Sequence, residues 1–178
     1  MTSSYRDGGI VVYCRIMIAV NESPGEPGKA PHIVTWDEKY STGIGLIDEQ
    51  HKELIKVINE LYQACLGGDE TIGIAFKETM TRMVDYVRFH FGAEQKILEQ
   101  LKYPLYMEHK KEHDEMVKNI LLAAKDFNEG KQFVPNHFVR TLRDWVLSHI
   151  ALSDTKYAIY IAGLKKKGIL SADYLSAG

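Results

Sequence analysis

The sequence predicts an all-α protein that folds as an up-down-up-down bundle of four helices. Apolar residues recur every three or four positions over four long segments, and short stretches rich in glycine, asparagine or proline separate these segments. The sequence shows no alternation of strands with helices and no phosphate-binding glycine loop. With 178 residues, of which 45% are hydrophobic, the chain is large enough to bury one sizeable core.

The charge and hydropathy of the chain limit its partners. A formal net charge of −2 gives no basis for binding nucleic acid or an acidic membrane surface. No apolar run reaches the roughly 20 residues that span a bilayer, and the closest, at residues 10–20, is interrupted by Arg15. We therefore expect a cytoplasmic protein without a membrane span, and we interpret this run as part of an extension instead of a signal peptide.

The ends of the chain are expected to lie outside the bundle. Residues 21–31 contain three prolines and two glycines, which is the composition of a linker, so residues 1–33 are predicted to be an extension and linker. The bundle domain is expected at residues 34–164, beginning with an irregular arm at residues 36–45. A tail that opens with three lysines follows at residues 165–178.

Capping and breaking residues bound the four helices. The first helix is expected to begin at Asp48, which can cap it, and to end near Cys65, before a Gly-Gly-Asp sequence. The second is expected at residues 71–101, ahead of a proline. That proline suits the first turn of the third helix, at residues 104–127. After a loop that contains glycine, the fourth helix is expected at residues 136–164.

Histidine and acidic residues occur on the apolar faces of these helices, where a core is expected. His90 and Glu94 are four residues apart, and so are His109 and His113. Four residues advance a helix by about 400°, so both side chains of each pair leave nearly the same face. The candidate ligands come from all four helices: His51, His90, Glu94, His109, His113, His149 and Asp154.

This set of residues predicts a metal centre. A single inward histidine is more readily explained by a hydrogen bond in the core, but five buried imidazoles without a metal would be a severe cost to stability. Neutral nitrogens together with two carboxylates suit iron, manganese or zinc. Seven donors are too many for one ion, whereas two ions bridged by Glu94 and Asp154 would use all of them.

The spacing of the last two candidates requires a departure from a regular helix. His149 and Asp154 are five residues apart, so they point about 140° apart on an α-helix. The sequence therefore predicts a locally widened turn, or a carboxylate that reaches back, if both are to face the same site.

The motifs together resemble those of the bacterial hemerythrins. The arm from Trp36 through Gly43-Ile44-Gly45 and the sequence Ile47-Asp48-Glu49-Gln50-His51 are similar to the opening signature of that family. The His-x3-Glu, His-x3-His and His-x4-Asp spacings match its remaining ligand motifs, and the resemblance covers about residues 34–163.

The resemblance implies a non-haem di-iron centre that binds dioxygen reversibly. One iron would be held by His109, His113 and His149, and the other by His51 and His90. Both carboxylates and an oxo or hydroxo group would bridge the two ions, and the second iron would keep an open position for dioxygen.

Apolar residues around the ligands are expected to form a dry oxygen pocket, although plain core packing explains them equally well. They are Leu54, Phe91, Trp145, Val146 and Ile150. Val146 stands where the family usually has the larger leucine. We expect this difference to admit water and to make autoxidation faster.

Three functions fit such a bundle. The resemblance favours an oxygen-binding protein, not an enzyme, that serves storage, delivery or sensing. A di-iron oxidase, a peroxidase or a nitric-oxide-handling enzyme is the alternative, but the Glu-x-x-His pairs of ferritin-like enzymes do not occur in this sequence. A structural or iron-handling bundle would not need the complete ligand set.

His32 and His137 lie off the ligand faces and are expected to be solvated.

Overall fold

The computed structural model describes residues 31–66, 69–130 and 135–174. The predicted N-terminal extension, up to residue 30, therefore lies outside the described residues. Within them the chain forms helices and no strand. After a 3₁₀ turn at Glu38–Tyr40, the elements are α1 (Gly45–Ala64), α2 (Asp69–Gln100), α3 (Tyr106–Asn128), α4 (Pro135–His149), a π-helical turn (Ile150–Asp154) and α5 (Thr155–Lys166).

The predicted four-helix bundle is confirmed, with α4, the π turn and α5 forming the predicted fourth helix. Helix α1 packs against α2 and α4, and α2 also packs against α3. The main core cluster contains fully buried residues from α1, α2 and α4, among them Leu61, Met83 and Val139. A second cluster, around Ile47, Leu98 and Tyr157, joins the start of α1 to the end of α2 and to α5. The described helices include none that is both long and apolar enough to cross a bilayer.

The prediction that Asp48 caps the first helix is wrong. Helix α1 begins three residues earlier, at Gly45, and Asp48 lies in its first turn. The carboxylate instead turns back to the arm, where it accepts hydrogen bonds from Thr42 N at 2.7 Å and from Ser41 Oγ at 2.6 Å. Gly43, at a φ of 70°, lets the chain turn sharply between these donors and the helix. Asp48 therefore fixes the arm against the bundle.

The arm is also fixed further from the helix start, by Asn59 of α1. The Asn59 side chain accepts hydrogen bonds from Ile33 N and Val34 N, at 2.9 and 3.2 Å, and donates one to Val34 O at 2.8 Å. Ile33 and Val34 are both buried in the main cluster. The packed body therefore includes Ile33, one residue ahead of the predicted start of the bundle.

Candidate metal centre

The structure brings all seven predicted ligand residues together in the interior of the bundle. None of the seven is more than 6% exposed, and His51, His113 and Asp154 are fully buried. Ligand atoms of Glu94, His109, His113, His149 and Asp154 lie within 4.8 Å of one another, and so do those of His51, His90 and Glu94. We call the first set of histidines the three-histidine group and the second the two-histidine group.

Local helix geometry explains this convergence. His90 and Glu94 lie on one face of α2, and His109 and His113 lie on one face of α3, because each pair is four residues apart. The predicted widening between His149 and Asp154 is confirmed, since the π turn at Ile150–Asp154 takes up the extra residue. As a result, His149 Nε2 and Asp154 Oδ1 lie 3.2 Å apart.

Each carboxylate directs one oxygen toward each histidine group. Glu94 Oε1 lies 3.8 Å from His51 Nε2, and Glu94 Oε2 lies 3.3 Å from both His109 Nε2 and His113 Nε2. Asp154 follows the same pattern, with Oδ2 at 3.2 Å from His51 Nε2 and Oδ1 at 3.2 Å from His149 Nε2. Both carboxylates therefore lie between the two groups, which is the position that a bridging ligand requires.

The distances between ligand atoms fit metal coordination. Two atoms that are each about 2.1 Å from one ion are about 3.0 to 3.4 Å apart at octahedral or tetrahedral angles. Most nitrogen–oxygen distances in the three-histidine group are 3.2 to 3.3 Å. The Nε2 atoms of His113 and His149 lie 2.8 Å apart. Two nitrogen lone pairs repel each other at this distance, so the contact requires a proton or a cation between them.

Polar atoms that lack a hydrogen bond supply a further test of the fit. Both ring nitrogens of His51 and both carboxylate oxygens of Asp154 are buried and make no hydrogen bond within the described part of the chain. Such atoms destabilise a protein unless another group satisfies them. A metal ion bound between these residues would satisfy His51 Nε2 and the Asp154 oxygens together, so the residues present fit a metal.

The electrostatics of the site favour positive charge at His149. Burial disfavours the protonated ring, but the carboxylates of Asp154 and Glu112 outweigh it and raise the pKa of His149 to about 10. Burial lowers the pKa of His90 to about 4 and that of His113 to about 2. These two rings therefore keep their lone pairs at neutral pH, as metal ligands must.

Several residues that hold the ligands were not predicted from the sequence as site residues. His90 Nδ1–H donates to Gln50 Oε1 at 3.0 Å, and the Gln95 amide contacts His113 Nδ1 at 3.4 Å. Glu112 Oε2 lies 2.9 Å from His149 Nδ1. These contacts turn the Nε2 atoms toward the centre. Each of the three residues adjoins a candidate histidine in sequence or lies one residue beyond Glu94, but the sequence has no signal for the direction in which each points.

Tyr157 is another residue of the site that was not predicted from the sequence as a site residue. It is 1% exposed, and its hydroxyl donates a hydrogen bond to Glu94 Oε1. Burial and the charge of Glu94 raise the pKa of Tyr157 well above its usual value, so the phenol remains a donor. Its position three residues after Asp154 puts it on the same side of α5 as the site.

Two of the residues predicted to line an oxygen pocket contact ligand rings directly. The ring of Phe91 stacks on His113, with centroids 3.6 Å apart, and the ring of Trp145 stacks on His149 at 4.6 Å. Leu54, Val146 and Ile150 are buried, whereas Trp145 is partly exposed. The side chains of His32 and His137 are exposed, as predicted.

Comparison with known proteins agrees with this geometry. A family profile described as the Hemerythrin HHE cation binding domain matches residues 42–159, a range that contains all seven candidate ligands. The bacteriohemerythrin of Methylococcus capsulatus is 31% identical over 127 residues, which are 70% of this chain and 94% of that protein. A hemerythrin-like protein of Naegleria gruberi is 28% identical over 127 residues, which are 71% of this chain and 92% of that protein.

A solved structure shows the same fold. The crystal structure of a wild-type hemerythrin aligns with this chain at a TM-score of 0.66 and 28% sequence identity. The alignment covers 70% of this chain and 95% of that one.

Proposed function

The chain belongs to the hemerythrin family, and from this membership we propose that it binds dioxygen reversibly at a non-haem di-iron centre. The observation that carries the proposal is the arrangement of Glu94 and Asp154, each of which directs one oxygen toward each histidine group. A mononuclear site would leave one of these groups without an ion.

The residues then divide between two irons. His109, His113 and His149 would hold one iron, and His51 and His90 the other. Glu94, Asp154 and an oxo or hydroxo group would bridge them. When bound, the irons supply the electrons for dioxygen and the open position at which it binds.

The protein around the centre supports reversible binding. Leu54, Phe91, Val146 and Ile150 are buried and apolar, so they would exclude water from the oxygen pocket and limit protonation of the bound ligand. Stacked rings on His113 and His149 hold these imidazoles in place. Five neutral ligands and two carboxylates also stabilise high-valent iron less well than a carboxylate-rich site, which favours binding over oxidation chemistry.

The binding unit that we propose is the bundle of residues 34–164, serving oxygen storage, delivery or sensing. Ile33 packs with this unit, and α5 continues two residues beyond it, to Lys166. The N-terminal extension and the tail from residue 165 lie outside the unit that we propose.

An oxygen electrode tests the proposal. Reduced protein loaded with iron should take up one dioxygen per chain and release it when the oxygen pressure is lowered. The His51→Ala substitution should abolish the uptake, because it removes one of the two histidines of the two-histidine group. The exposed His32→Ala variant is the matched control and should behave as wild type. Continuous oxygen consumption in the presence of a reductant would favour the oxidase alternative.

A further inference from the structure

Glu112 connects α3 to the π turn. Its Oε2 atom lies 2.9 Å from Nδ1 of His149, which is the residue just before the turn. The same oxygen accepts a hydrogen bond from Oγ of Ser153, which lies within the turn, at 2.6 Å. Ser153 is itself buried. One carboxylate thus binds both ends of the segment that brings Asp154 into the site.

The outer nitrogens of the candidate ligands differ in charge environment. Those of His90 and His113 contact the neutral amides of Gln50 and Gln95, and Nδ1 of His51 has no hydrogen-bond partner among the residues that the structure describes. His149 instead contacts the carboxylate of Glu112, at 2.9 Å from its Nδ1 atom. The negative charge is therefore placed beside the three-histidine group.

A carboxylate on the outer nitrogen of a ligand histidine makes the inner nitrogen a stronger electron donor. Stronger donation stabilises the ferric state of a bound iron more than the ferrous state. The Glu112 side chain is 43% exposed, which reduces the effect by solvent screening but leaves the direct hydrogen bond intact.

We propose that Glu112 is a positioning residue that holds the π turn closed and, through His149, lowers the reduction potential of the centre. The inference rests on the proposed di-iron function. It adds an electronic difference to the two irons' unequal numbers of histidines, because Glu112 contacts a ligand of the three-histidine group.

Potentiometric titration of the iron-loaded protein with soluble one-electron mediators tests the electronic part. Glu112→Gln keeps an oxygen that can accept from His149 but removes the charge. It should shift one ferric–ferrous equilibrium toward ferrous iron by on the order of tenfold, which is about 59 mV for a one-electron step. Glu115→Gln, an exposed residue on the same helix, makes the same change in net charge and should leave the potential at the wild-type value.

A second variant separates charge from structure. Ser153→Ala removes the hydrogen bond to the turn but keeps the Glu112 charge, so it should lower the melting temperature and leave the potential nearly unchanged. Equal potentials in wild type and Glu112→Gln would overturn the electronic role. Equal shifts in Glu112→Gln and Glu115→Gln would also overturn it, since a general charge effect would then suffice.

Nuclear magnetic resonance of zinc-loaded wild-type protein keeps the inference testable if Glu112→Gln does not fold. The Nδ1–H proton of His149 should resonate downfield of that of His90, because its acceptor is charged. Equal shifts would contradict the inference. The proposed function has its own test, because it fails if wild-type protein with two irons does not bind dioxygen. The position of the His149 proton resonance does not depend on that result.

Discussion

His149 Nε2 and Asp154 Oδ1 lie 3.2 Å apart although the two residues are five positions apart along one continuous helical segment. A regular α-helix would direct these side chains about 140° apart. The π turn between them adds one residue to the turn and brings both into the site, so the candidate metal centre depends on this irregularity.

The π turn should tolerate a deletion but not an insertion. The side chain of Leu152 is about half exposed, so its removal should disturb the core little. In the deletion variant the His149 and Asp154 side chains would be four positions apart, and a regular α-helix would place them on one face. We expect the Leu152 deletion to retain nearly two irons per chain. One alanine inserted after Leu152 should rotate Asp154 by about 100° and lower the iron content. Iron analysis of both variants checks this, and equal loss of iron in the two would contradict it.

Removal of the Tyr157 hydroxyl should destabilise the metal-free protein. Tyr157→Phe leaves the buried Glu94 oxygen without its donor, at a cost of about 1 to 3 kcal/mol in the free energy of unfolding. Tyr160→Phe is the control, because its hydroxyl donates to Leu101 O at a partly exposed position and should cost less. Denaturant titration measures both, and equal costs for the two variants would exclude a special role for the bond to Glu94.

Metal binding should release a proton from His149 and become tighter as pH rises toward about 10. The pKa of His149 is raised from 6.5 to about 10 in the metal-free protein, so the ring carries a proton at neutral pH that a metal ion must displace. Calorimetry of zinc binding in buffers of different ionisation enthalpy counts the protons released. A zinc affinity that does not change between pH 6.5 and 10 would contradict the prediction.

The same shift predicts how the stability of the metal-free protein depends on pH. A folded pKa raised above the unfolded value contributes stability that is fully present below pH 6.5 and is lost as pH rises through about 10. The lowered pKa of His90 acts in the opposite sense, and its contribution is lost as pH falls from 6.5 through about 4. The free energy of unfolding should therefore be highest near pH 6.5 and decline from there toward both pH 4 and pH 10, and the alkaline decline should be smaller in His149→Ala.

A larger residue at position 146 should slow autoxidation. Val146 is 2% exposed and belongs to the predicted oxygen pocket, so the larger side chain in Val146→Leu should reduce the access of water to bound dioxygen. Val139→Leu, a change of the same size in the main cluster, is the control for overpacking, which costs about 1 to 3 kcal/mol. The decay of the oxygenated spectrum should be severalfold slower in Val146→Leu only. An unchanged rate in that variant would disprove the hypothesis.

The sequence was sufficient to predict the helices, the inward faces and the widened turn, because these follow from spacing along one chain. His90 and Glu94, for example, share a face whatever surrounds them. The spacing of His149 and Asp154 likewise requires an irregular turn if both are to face one site, wherever the neighbouring helices lie.

Contacts between helices could not be predicted in this way. Whether Glu112 points to solvent or to His149 depends on how α3 and α4 are rotated against each other, and the periodicity of either helix does not specify that rotation. Asp48 illustrates a similar difficulty at a helix end, because its carboxylate could cap the helix or bind the arm, and the fold of Ser41 to Gly43 decided between them.

The visible absorption spectrum of the reduced, iron-loaded protein, recorded under argon, in air and again under argon, tests the central claim most directly. We expect two irons per chain and a charge-transfer band that appears in air and fades under argon over repeated cycles. Irreversible conversion to the spectrum of an oxo-bridged ferric centre would contradict reversible binding and favour the oxidase alternative. One iron per chain would contradict the bridging roles of Glu94 and Asp154.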